Sequence, residues 1–151
     1  MRRKWGFTLI ELLVVIGVLA VIAAGIVALI DPVDKLAQAN DAKVQNDVGQ
    51  IATALQSYAA QNSGLYPTSA EYTAGVLRTS GELTTMPTQP TNYTAYAYSV
   101  NAGQTIGKVT GQLKAKKNTT AGGVGTSCWD SSLGTAGVYK AAATTTLGAC
   151  P

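Results

Sequence analysis

The chain has 151 residues, with 11 lysines and arginines against 8 aspartates and glutamates and no histidine. Arg2, Arg3 and Lys4 supply the whole charge excess of +3, so the chain without its first six residues is neutral. With only Cys128 and Cys150 as thiols, there is no His/Cys metal cluster and no Ser-His or Cys-His pair. The composition therefore argues against ordinary hydrolase chemistry, and no cofactor or metal is expected.

Phe7 to Ile30 reads FTLIELLVVIGVLAVIAAGIVALI, an apolar run with one charge, Glu11. As a helix it extends about 36 Å at about 1.5 Å per residue, enough to cross a hydrocarbon core of about 30 Å. The basic residues before it, with Asp31 and Asp34 after it, predict a cytoplasmic N-terminus and the remainder outside. A carboxylate inside such a helix costs free energy unless it is paired, solvated or protonated. Position alone leaves two readings of Glu11: a residue at the wet cytoplasmic interface, or one kept for a partner.

Beyond Asp31-Pro32 the composition turns polar, but Val44, Val48, Ile51, Leu55 and Tyr58 keep helical spacing and predict one buried stripe. Pro32 lacks an N–H and crowds the carbonyl of Ala28, which predicts a kink or a short unwound stretch between two helical halves. Gly17 and Gly25 add pliability or close packing. The helix is expected to end at Asn62-Ser63-Gly64, with Gly64 as a left-handed cap. A rod on the order of 84 Å results. A domain of this size cannot bury it, so its first half is expected in lipid or against other subunits.

After Pro67, Ser69 is expected to cap a short helix over Glu71 to Arg78, and Pro87 to Pro90 to cross irregularly. Thr94, Tyr96, Tyr98 and Val100 alternate with small residues. Val109, Leu113 and Ala115 alternate with Lys108, Thr110, Gln112, Lys114 and Lys116, so the two runs predict an antiparallel hairpin turning through NAGQT. The stretch from Lys117 onward is rich in Gly, Thr, Ser and Ala. It reads as loop with one more strand near Val138, anchored by Trp129, Leu133, Val138, Tyr139 and Leu147. Cys128 and Cys150 fit one disulfide in an oxidising compartment, worth about 3 kcal/mol in the chain-entropy model; two reduced cysteines are the alternative. The fold class is α+β, a long N-terminal helix carrying a small antiparallel sheet.

The arrangement RRKWG followed by FTLIELLVVI resembles the cleavage and methylation signal of type IV prepilins and type II secretion pseudopilins, and DPVDKLAQANDAKVQNDVGQIATALQSYAAQNSGLYP extends the resemblance more loosely. The resemblance implies a prepilin peptidase that removes residues 1–6 as a leader, cutting between Gly6 and Phe7, and N-methylates Phe7. Gly6 has no side chain to obstruct such a protease. The cut exposes an amine at Phe7, and the resemblance implies that this amine meets Glu11 of an adjacent subunit, making Glu11 a register device. It further implies residues 7–30 as membrane and then filament-core helix, 31–63 as its amphipathic continuation, and 64–151 as a globular headpiece closed by the disulfide loop. The partners implied are other copies of the chain, the peptidase, the membrane before assembly, and an assembly platform with ATPase-driven machinery.

The leading expectation is thus a pilin, a structural subunit of an extracellular type IV pilus-like filament rather than an enzyme. A pseudopilin of secretion or DNA uptake is the near alternative. A membrane-anchored binding domain and a secreted protein cut before Gly25 are more distant ones. Five lysines and a single acid, Asp130, follow residue 100, which raises DNA backbone binding against plain solubility and edge protection. One acid is too few for a family-type calcium site. Asn92-Tyr93-Thr94 and Asn118-Thr119-Thr120 match the glycosylation pattern, which arises easily in a Thr-rich chain.

Overall fold

A computed structural model describes residues 6–120 and 124–141. The chain divides into two compact units, Met1–Lys35 and Leu36–Pro151.

The first unit is dominated by helix α1, Leu9–Leu29. It does not run on into the next helix as one rod. Ile30 is extended (φ −96°, ψ 114°), and α2, Pro32–Gln61, starts afresh. Asp31 caps that start, its Oδ1 accepting from Asp34 N at 3.1 Å. Pro32 therefore occupies the first helical position, where its missing N–H would have had no partner anyway and its fixed φ suits the helix. Its effect is to open a helix, and the extended Ile30 relieves the clash that a proline makes inside one.

In the second unit, Val44, Val48, Ile51 and Leu55 of α2 are fully buried and share one core with Leu77, Val109, Leu113 and Trp129. The expected stripe is the face that packs on the sheet. At the far end of α2, Gly64 N donates to Ala59 O at 2.8 Å, the long bond of a Schellman ending. Ser63 (φ 58°) takes the left-handed position after the helix, and Gly64 (φ 83°) follows it. The cap is thus one residue earlier than expected.

The short helical region is α3, Ser69–Thr73, and α4, Val76–Thr79, separated by Gly75 at φ 84°. Thr68, not Ser69, is the cap. Its Oγ1 accepts from Glu71 N at 3.2 Å while Glu71 Oε2 accepts from Thr68 N at 2.7 Å, a reciprocal capping box.

Strands β1 (Ala97–Val100), β2 (Gly107–Leu113), β3 (Val124–Asp130) and β4 (Thr135–Ala141) form one sheet in the order β1-β2-β3-β4. Every neighbouring pair is antiparallel. The expected hairpin is β1–β2, although β1 takes in only Tyr98 and Val100 of its expected residues and Thr94 and Tyr96 precede it; the strand near Val138 is β4. β3 falls in the stretch read as loop. Thr126, Ser127, Cys128, Trp129 and Asp130 are all buried, so both faces of β3 are covered and no polar–apolar alternation marks it. Leu133 and Val138, expected as anchors, are exposed, and Leu147 lies outside the described residues. Thr110, assigned to a polar face, is buried in the middle of the sheet opposite Cys128. β2 stops at Leu113, short of Ala115 and Lys116, because the N–H groups of Lys114 and Ala115 turn to the Asp41 carboxylate instead of a strand partner.

Two glycines allow the backbones to approach. A Cβ on Gly111 would stand 2.6 Å from Val44 Cγ1, and one on Gly125 would stand 2.3 Å from the carbonyl oxygen of Asn118. The second contact is with backbone and cannot yield by a rotamer change. Gly125→Ala is expected to destabilise the headpiece by about 1–3 kcal/mol, read as an earlier midpoint in denaturant titration; an unchanged midpoint would contradict the close approach.

Candidate functional site

Gly6 and Phe7 precede α1 and lie outside it. A Cβ on Gly6 would meet nothing within 4 Å, and Phe7 is 81% exposed. The helix begins two residues after Phe7 because Thr8 caps it. Thr8 Oγ1 accepts from Glu11 N at 3.3 Å, and Glu11 Oε2 accepts from Thr8 N at 2.9 Å and from Thr8 Oγ1 at 2.7 Å. The sequence signal for this, a threonine three residues before a glutamate, is the same that marks Thr68 and Glu71. One carboxylate oxygen of Glu11 is thus committed to its own helix end. Oε1 has no hydrogen-bond partner among the described residues. Phe7, Ile10, Glu11, Val14 and Val15 line a shallow hollow of about 390 Å³.

Along α1 the large apolar side chains between Leu9 and Val27 are 48% to 82% exposed on every side of the helix. Leu9–Val27 has the length and composition to cross a membrane, about 29 Å at about 1.5 Å per residue. A helix apolar all round needs lipid or other helices around it. This fits a membrane-anchored precursor.

In the second unit the sequence concealed three buried carboxylates, two on α2 and one on β3. Asp41 is fully buried and accepts from Tyr93 Oη at 2.8 Å, Lys114 N at 2.9 Å, Ala115 N at 2.9 Å and Asn118 Nδ2 at 2.7 Å. Asp47 accepts from Tyr96 Oη at 2.5 Å and Lys43 Nζ at 2.6 Å. Burial, and then these carboxylates, push the Tyr93 and Tyr96 phenols well above their ordinary value. Tyr98 donates to Pro67 O at 2.7 Å and stacks on Tyr72 at 4.4 Å; burial pushes the Tyr72 phenol up to about 12. The tyrosines read as core and sheet surface are tied into the core, and the signal for Asp41 was its place three residues before Val44 on the buried stripe.

Asp130 pairs with Lys108 Nζ at 2.6 Å and accepts from Ser132 N at 2.8 Å and Ser132 Oγ at 2.6 Å. Burial opposes its ionisation, but the bonds from Lys108 and Ser132 prevail and hold the carboxyl below its ordinary 3.8. A depressed carboxyl stabilises the fold above its unfolded value and loses that contribution as pH falls through the lower, folded one. Thermal melts are therefore expected to show an acid-induced loss below about pH 4 that is smaller in Asp130→Asn; an identical acid limb in both would refute the assignment.

Lys108 is thus neutralised in the fold. Lys114 bonds the Asn92 carbonyl and lies 5.1 Å from the centre of the Tyr93 ring. These two lysines are tied into the headpiece, which weakens the case for a free basic strip. Asn118, in the second glycosylation pattern, is buried with its amide on Asp41. Cys128 is buried in β3 and disulfide-bonded; Cys150, its expected partner, lies outside the described residues, as does most of the leader.

No curated protein and no solved structure matches the chain. Residues 1–27 match the family model described as the prokaryotic N-terminal methylation motif. The basic leader, the glycine before Phe7, Glu11 and the apolar helix behind them are therefore the class III signal peptide of type IV pilins and pseudopilins.

Proposed function

We propose that the chain is a pilin, cut between Gly6 and Phe7, N-methylated on Phe7, and assembled through α1 into an extracellular type IV pilus-like filament. The observation that carries this reading is a helix with large apolar side chains exposed on all sides, joined to the methylation motif. Before assembly lipid covers those side chains; afterwards the helices of other copies do. The free Oε1 of Glu11 and the exposed Phe7 support a pairing between the new amine of one subunit and the carboxylate of the next. A disulfide from Cys128 to Cys150 would close the end of the headpiece.

Mass spectrometry of the mature N-terminus is expected to find methyl-Phe7, and Gly6→Val to leave an uncleaved precursor in the membrane. Efficient processing of that variant, or a mature N-terminus at Gly25, would contradict the reading. Electron microscopy decides between pilus and pseudopilus: long fibres composed mainly of this chain support the pilin, and short or absent ones the pseudopilin.

A further inference from the structure

A cleft of about 320 Å³ opens at the C-terminal end of α2, lined by Tyr58, Gln61, Asn62, Tyr66, Glu71 and Gln104. Its walls come from the helix, the segment after it, α3 and the β1–β2 turn, and Tyr66 N donates to Gln104 O at 2.7 Å across it. Of the three non-glycine residues with left-handed backbone among the described residues, two, Ser63 (φ 58°) and Gln104 (φ 55°), stand on this cleft. Ser63 owes its conformation to the ending of α2, whereas Gln104 stands outside any helix end; conformations of that kind cost free energy and gather at ligand sites.

The polar groups here are only partly used by the protein. Asn62 Nδ2 donates to Tyr58 O and Gln61 Nε2 to Glu82 Oε1, while Glu71 Oε2 accepts from Thr68. That leaves one oxygen on each of Asn62, Gln61 and Glu71 uncommitted. The Gln104 amide and the hydroxyls of Tyr58 and Tyr66 have no hydrogen-bond partner among the described residues. Two phenol hydroxyls set beside amides and a carboxylate offer adjacent donors and acceptors to the hydroxyl groups of a polar ring. The lining contains no basic side chain, and Glu71 repels an anion. The volume lies at the lower end of ligand sites, about 300–1,000 Å³, and suits a single ring.

We propose that this cleft binds one neutral monosaccharide unit of a glycan, with Gln104 and the two tyrosine hydroxyls bonding its hydroxyl groups. The test uses the full-length processed chain in a phosphocholine detergent, which adds no sugar of its own. Methyl glycosides of glucose, galactose, mannose and N-acetylglucosamine are titrated by calorimetry and by saturation-transfer NMR, with methyl glucuronide as the anionic comparison. At least one neutral glycoside is expected to bind saturably and more tightly than the glucuronide. Gln104→Ala, which keeps the backbone bonds of residue 104, is expected to weaken binding about fivefold, as loss of a neutral hydrogen bond does. Tyr66→Phe retains the ring against Trp129 and is expected to weaken it by a smaller factor; circular dichroism checks that both variants fold. No saturable binding of any neutral glycoside, a preference for the glucuronide, or full affinity in both variants would overturn the proposal.

Discussion

Asp41→Ala is expected to destabilise the fold by about 3–5 kcal/mol, the combined cost of several neutral donors losing one shared charged acceptor. The substitution leaves the N–H groups of Lys114 and Ala115 and the Asn118 amide without their acceptor, and leaves the Tyr93 hydroxyl with the Ala37 carbonyl at 3.3 Å in place of the shorter bond to Asp41. Each orphaned buried donor costs about 1–3 kcal/mol where water does not reach it. Since a domain has only about 5–15 kcal/mol in all, much of the population should unfold. Asp41→Asn keeps one acceptor oxygen and should fall between the two. The check is denaturant titration in micelles of the chain from Phe7 onward, in which Trp129 is the single tryptophan followed by fluorescence. A shift of Asp41→Ala below about 0.5 kcal/mol, the scale of surface substitutions, would show that the convergence on Asp41 contributes little.

Glu11→Gln is expected to abolish or severely reduce fibres while leaving cleavage at Gly6 intact. The amide oxygen of glutamine still accepts from Thr8 N, so the helix start survives and only the charge is lost. Thr8→Val makes the converse change, removing the capping hydroxyl while keeping the carboxylate; it should cost about 1 kcal/mol in the helix and leave assembly largely in place. Fibre yield by sedimentation and microscopy, with precursor processing on gels, reads both. Normal fibres from Glu11→Gln would remove the charge-pairing argument. Loss of fibres from Thr8→Val alone would shift the role to the helix cap.

The legible parts of the molecule are those where one physical rule acts alone. Apolar length marks α1, and spacing marks the core stripe from Val44 to Leu55. Tyr98 and Val109 face each other in a register that alternation predicts. Where two rules compete, the reading slips. Pro32 does bring the expected unwound stretch, Ile30 and Asp31, between two helices; what its sequence leaves open is kink or fresh start, and the Asp31 carboxylate decides for the start. Thr68 and Ser69 are both good caps, and Glu71 selects the threonine. β3 shows no alternation because both of its sides are covered, and Asp41 is marked only by its place three residues before Val44, a spacing that shows its face but not its four partners. Glu11 stands out by its flanking sequence, whereas its bond to Thr8 follows from a short local motif, repeated at Thr68 and Glu71, that apolar length and spacing do not reveal.

The convergence on Asp41 also has a mechanical meaning. Its oxygens hold α2 to the end of β2 and to the turn over Lys116–Asn118. Because these bonds converge on one side chain, a force that pulls α2 away from the turn loads them together. The headpiece would then resist that pull as a unit up to a threshold and yield abruptly beyond it, behaviour set by the rate of crossing an unfolding barrier rather than by equilibrium stability.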